Sequence, residues 1–128
     1  VSFWLLCSPY TLYVDRDEAA IQAARATGLL ERAGVPVFSP ILKGHALVEH
    51  AGFPIHDPEL WRRINAPFVA AAKGGIVLRL NGWRESVGIY EEREEFARTG
   101  RPVIFMDPGK VPEEIVGPPN RTVAALQV

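Results

Sequence analysis

The sequence holds one cysteine, Cys7, in 128 residues, so no internal disulfide can form, and no second thiol stands near it to build a zinc site. A single unpaired thiol suits a reducing compartment, and the expected location is the cytoplasm. An excess of charge of one sign is also missing. The formal net charge is -1, which gives no broad positive field and excludes nucleic acid as a partner. No apolar run approaches the ~20 residues that cross a bilayer, so a membrane span is excluded as well. The opening VSFWLLCS is short, has no basic residue ahead of it and runs straight into Pro9-Tyr10. It reads as a core strand and not as a leader. Neither G-x-x-x-x-G-K-S/T nor G-x-G-x-x-G occurs, which removes the phosphate-loop and dinucleotide readings. Ser86 in RESVG lacks the first glycine of a hydrolase nucleophile elbow and reads as a helix N-cap. His45, His50 and His56 match no helical i, i+4 pair. No metal is expected, and His45 is placed at the rim of a crevice.

What is present is a chain of ordinary composition, 48% hydrophobic and 23% charged, long enough to bury a core without staples and expected to form one domain over residues 1–128. Ser2 to Leu6 reads as a buried strand ending in Ser8-Pro9-Tyr10. Asp15 or Asp17 caps a helix that runs to Gly34. Val35 to Phe38 is a second strand, followed by Ser39-Pro40. Residues Ile41 to His56, rich in glycine and histidine, read as a long irregular and functional loop. Asp57-Pro58-Glu59 starts a helix carrying Leu60, Trp61 and Ile64 inward, with a break expected near Pro67. Ile76 to Leu80 is the central strand, broken at Asn81-Gly82 and followed by a helix from Ser86 to Arg98. Val103 to Phe105 is a fourth strand, and a last short strand is expected over Thr122 to Leu126. Strands alternating with helices predict a three-layer α/β fold with a parallel sheet of four to five strands. Such a sheet gathers Ser8, Tyr10, Ser39, Asn81 and Ser86 at its carboxyl edge, where ligands bind.

The last of these helices is acidic, with Glu91, Glu92, Glu94 and Glu95. At 100° per residue, Ile89, Tyr90, Phe96 and Ala97 define an apolar side with Arg93 near its middle. Glu91 and Glu95 then point away as surface charges. Glu92 and Glu94 fall at the borders, which leaves Glu92, nearer the helix start, as the acid that a crevice can desolvate.

Taken in order, CSPY, FSPI with a downstream histidine, a Trp-bearing helix, VLRLNGWRESVGIYEE and GRPV resemble the nucleoside 2-deoxyribosyltransferase-like superfamily, in its short uncharacterised branch. The resemblance covers about residues 3 to 105. It implies a flavodoxin-like fold, cleavage of an N-glycosidic bond without a cofactor, and a homodimer or larger. It further implies that Ser86, Gly88 and Glu92 form the branch pattern with Glu92 as nucleophile, and that Tyr10 is the tyrosine after the first strand. Substrate contacts are implied for Ser8, Ser39, His45, Asn65, Asn81, Gly82 and Trp83. The branch usually has aspartates where this chain has Asn65 and Lys73, and a small residue where it has Phe96. Losing both aspartates would weaken turnover more than binding. Three functions are therefore carried forward: a deoxyribosyltransferase or nucleoside or nucleotide N-glycosidase, a non-catalytic nucleotide-binding module, and an oligomeric protein without ligand, in which Trp61 and Phe68 form the interface.

Overall fold

A computed structural model describes residues 2–10 and 15–116. Four parallel strands, β1 (Trp4–Cys7), β2 (Val37–Phe38), β3 (Gly75–Leu78) and β4 (Val103–Met106), pair in the order β2-β1-β3-β4. The helices are α1 (Arg16–Arg32), α2 (Pro40–Ala51), α3 (Pro58–Ala71) and α4 (Val87–Arg98), with a 3-10 turn over Glu113–Ile115. The order reverses between β1 and β3, as in flavodoxin-like sheets, and this opens a crevice at their carboxyl ends. The expected strand over Thr122 to Leu126 lies outside the described residues.

Strand alternation divides the core. Trp4, Leu6, Ile76, Leu78 and Met106 face α1, whose buried Ala19, Ala23, Ala26 and Leu30 let it lie close to the sheet. Leu5, Cys7 and Val77 face the other way, toward Ile89 and Phe96 of α4 and Phe68 and Val69 of α3. The result is three layers. Between them the glycine pair before β3 permits two close approaches: a Cβ at Gly74 would strike Trp4 and the Pro102 carbonyl, and one at Gly75 would lie 2.7 Å from the Phe96 ring. Phe96, fully buried, fills the space that a side chain at Gly75 would take. Arg101 ties the second face together. Its guanidinium lies over Phe96 and donates to the carbonyls of Val69, Ala70 and Ala72 at the end of α3.

Two expectations fail here. Residues 40 to 51, read as irregular, form α2. Ser39 accepts from the Leu42 N–H and Pro40 takes the first helical position, the same start as Asp57-Pro58 in α3, while Gly52 closes the helix at φ 71°. Gly44 within α2 is tolerated because the Trp61 ring lies against it. Helix α3 also runs unbroken through Pro67. Pro67 is exposed, and the neighbouring Phe68 and Val69, anchored on the sheet, hold the turn despite the missing hydrogen bond.

Candidate functional site

The carboxyl ends of β1 and β2 and the starts of α2 and α4 surround a cavity of about 180 Å³. Ser8 and Tyr10 line it from the loop after β1, His45 from α2, Asn65 from α3, and Ser86, Gly88 and Glu92 from α4. A groove of about 600 Å³ between α3 and α4 adjoins it. The two share Ile55, Trp61, Asn65, Gly88 and Glu92 as walls. Glu92 therefore stands where they meet.

Local structure sets each of these positions. Ser86 accepts from the Ile89 N–H at 3.3 Å and so fixes the start of α4. Ile89 and Phe96, two turns apart, bury against the sheet, and the residues between them on that stripe are Glu92 and Arg93. Arg93 leans over Trp83 and Phe105, at 5.8 and 5.3 Å from the ring centroids. Glu92 faces the cavity above Cys7. Burial, reinforced by the nearby Glu91 charge and only partly offset by the Cys7 thiol, raises its carboxyl to about 8. The residue keeps some exposure through the cavity, yet protein atoms enclose the carboxyl closely enough to hold it neutral at pH 7. Burial also pushes the Cys7 thiol up, with Glu92 adding to the effect.

The helix wheel selected Glu92 but misplaced its neighbours. Tyr90 and Ala97 are exposed, so the inward side is narrower than expected and centred nearer Glu92. Glu91 is no free surface charge. It accepts two hydrogen bonds from Arg62, at 2.9 and 2.7 Å, which clasp α3 to α4 along the groove and lower its carboxyl below the usual range. Glu95 is half-buried and pairs with Arg98, and Glu94 is the exposed acid of the four.

Of the residues named from sequence, Ser8, Tyr10, His45, Asn65, Ser86, Gly88 and Glu92 come together. Ser39, Asn81, Gly82 and Trp83 do not line the cavity. Ser39 caps α2; Asn81 is exposed in a turn that Gly82 closes at φ 87°; Trp83 packs at 5.6 Å from Phe105 on the far side of α4. Lys73 lies at the amino ends of the strands, over the Trp4 ring, so its difference from the branch pattern is remote from the cavity. Asn65 is a wall of both spaces.

Trp61 and Phe68, the interface of the ligand-free reading, are half-buried within the chain. Trp61 donates from Nε1 to the carbonyls of Pro54 and Ile55 and forms a wall of the site, while Phe68 stacks on Phe38 at 4.2 Å. Sequence placed Trp61 on the inner side of its helix, but nothing in the sequence joined it to Gly44 and Ile55.

Two further features bear on ligands. Ser8 Oγ is buried and has no hydrogen-bond partner among the described residues, although it lines the cavity. At the rim, Asp17, His45 and Glu49 bring donor atoms within 4.8 Å of one another. They are the described residues that could hold a cation, but Asp17 and His45 already satisfy each other at 3.0 Å. Histidine spacing could not reveal this group, since its acids come from two different helices. Among the described residues no helix is long and apolar enough to cross a membrane.

No curated protein matches the chain. Residues 3–108 match the model of DUF1937, a domain of unknown function, a stretch that carries all four strands and every wall of the cavity, and the chain belongs to that family.

Proposed function

We propose that the protein cleaves the N-glycosidic bond of a nucleoside or nucleotide, as a deoxyribosyltransferase or N-glycosidase, with Glu92 as nucleophile. The observation that carries this reading is the position of Glu92 on the wall common to two joined spaces. The smaller space, with Ser8, Tyr10 and Asn65, suits a pentose, and the larger suits a base. Together they fall in the ~300–1,000 Å³ range of small-molecule sites. The bond between sugar and base then lies beside the carboxyl.

In the first step a Glu92 oxygen bonds to the anomeric carbon as the carbon–nitrogen bond breaks, and the electron pair leaves with the base. The carboxyl starts protonated and gives up its proton as it attacks; the base leaves from the opposite face of the sugar, so the proton it takes up comes through solvent. In the second step water, or an N–H nitrogen of another base, bonds to the same carbon as the ester carbon–oxygen bond breaks, and the proton that the newcomer loses restores the neutral Glu92 carboxyl. No cofactor takes part. Under this reading the protein is cytoplasmic and forms a homodimer or larger, and Val87 and Tyr90, exposed on α4, are the apolar side chains that a second copy would cover.

A second reading, binding without turnover, rests on Asn65, an amide beside Glu92 where the resembled branch has a carboxylate. One assay separates the two: free base is followed by chromatography over the common nucleosides and monophosphates, and binding is titrated in parallel. Glu92→Gln should cut base release by about a thousandfold or more while affinity changes little. Glu94→Gln, on the exposed side, should match the wild type. Binding with no release by the wild type selects the second reading, and equal release by wild type and Glu92→Gln removes Glu92 as nucleophile.

A further inference from the structure

Tyr10, His45 and Asp17 form a chain of contacts that leads from the cavity to solvent. The Tyr10 hydroxyl lies 2.7 Å from His45 Nδ1, and His45 Nε2 lies 3.0 Å from Asp17 Oδ1. The first link is confined, with the two rings edge to face at 5.6 Å and the His45 side chain only 17% accessible, whereas Asp17 at the far end is 74% accessible. An ionised carboxylate can only accept hydrogen bonds, so Nε2 must carry the hydrogen it shares with Asp17. A neutral imidazole then has a bare Nδ1. That nitrogen accepts, and the Tyr10 hydroxyl spends its single hydrogen on it.

We infer that Asp17 and His45 are positioning residues that fix Tyr10 as a hydrogen-bond acceptor toward the cavity, so that the site selects a ligand presenting a free hydroxyl or N–H there and rejects the ether of that hydroxyl. The inference deepens the proposed function and rests on it in taking a nucleoside as the ligand. Ser8 lines the same cavity, and its Oγ, buried just behind the wall without a hydrogen-bond partner among the described residues, leaves the polar contacts there to Tyr10.

The test has two arms, both run with a chelator so that no ion occupies the Asp17, His45 and Glu49 donors. In the first, nitrogen NMR of the free protein reads the His45 tautomer. The wild type should carry its hydrogen on Nε2. Asp17→Lys replaces the acceptor by a donor and should move the hydrogen to Nδ1, and Asp17→Ala should leave a mixture. These changes keep the Asp15 carboxylate that caps α1 and remove one of its two first-turn acids, Glu18 remaining. In the second arm, thymidine is compared with its 3′-O-methyl and 5′-O-methyl ethers by titration. One ether should bind the wild type about tenfold more weakly, the cost of a lost partner in a closed site. In Asp17→Lys the Tyr10 hydroxyl turns its hydrogen to the cavity, and the preference should shrink or reverse. A purely steric clash with the added methyl would persist in that variant. An Nδ1 hydrogen in the wild type, or equal binding of thymidine and both ethers, overturns the inference. If thymidine does not bind at all while the Nε2 hydrogen is in place, the lock on Tyr10 stands and the nucleoside reading falls.

Discussion

The two faces of the sheet are built from the same four strands and do opposite work. On the α1 face the buried side chains that meet the sheet are apolar, small alanines bring the helix close, and the one carboxylate described there, Glu31, only reaches the β2 edge to accept from the Val37 N–H. On the α4 face the stripe that enters the protein holds Glu92 and Arg93 between Ile89 and Phe96, above the thiol of Cys7. A hydrophobic pair of the same volume would stabilise the second face more than an acid does, because burying a carboxyl costs free energy that only neutralisation relieves. The difference teaches where the molecule gives up stability for chemistry. One face is a foundation, and the other is a foundation with a reactive group set into it.

Three measurements sharpen this contrast. The largest effect is expected from Phe96→Ala, which empties the pocket over Gly75 and should destabilise the protein by about 3–5 kcal/mol in denaturant unfolding. Leu30→Ala on the α1 face should cost about 2–5 kcal/mol. A much smaller loss at Phe96 would mean that the α4 face is loosely packed.

The next effect distinguishes the faces by pH. The folded protein holds the Glu92 carboxyl at about 8, well above an ordinary carboxylate. Over the interval between those values the folded state binds a proton that the unfolded chain has released, so stability falls as pH rises. The contribution is complete below the ordinary carboxylate range and is lost as pH passes through about 8. Melting temperature of the wild type should therefore decline from pH 5 to 9 relative to Glu92→Gln, whose amide imitates the neutral acid at every pH. The Glu91–Arg62 pair has the opposite sign and loses its contribution only as pH falls through the carboxylate range, so it leaves this window clear. Parallel melting curves for the two proteins would place Glu92 in water.

The smallest effect concerns Gly88, a wall of both cavities. A Cβ there would meet nothing nearer than Ser86 Oγ at 3.9 Å. Gly88→Ala should raise stability by about 0.5–1 kcal/mol through helix propensity alone while narrowing the passage and weakening nucleoside binding. Stabilisation without loss of binding would move the ligand away from α4.

Much of the fold was legible in the sequence because parallel strands and capped helices are written locally. The β1, β3 and β4 runs, the Asp57-Pro58 start and the Ser86 cap can each be read from a few neighbouring residues. Helix α2 carries in Ser39-Pro40 the start signal that α3 carries in Asp57-Pro58, but Gly44 and the histidines read as loop and mask it. At the site, helix phase selects Glu92 but sets Tyr90 and Ala97 inward, which makes Glu91 look like a free charge. Its partner Arg62 comes from another helix. The same holds for Asp17 with His45 and for Trp61 with Gly44, pairings that exist only after α1, α2 and α3 have docked.

The absence of a side chain at Gly75 and the bulk of Phe96 amount to one decision written at two distant places in the gene. A bulky residue at 96 is viable only while 75 stays bare, and a methyl group gained at 75 demands something smaller at 96. Descendants of this chain can therefore cross between the two solutions only by changing both positions, and such a crossing leaves the cavity walls as they are, since neither residue is one of them.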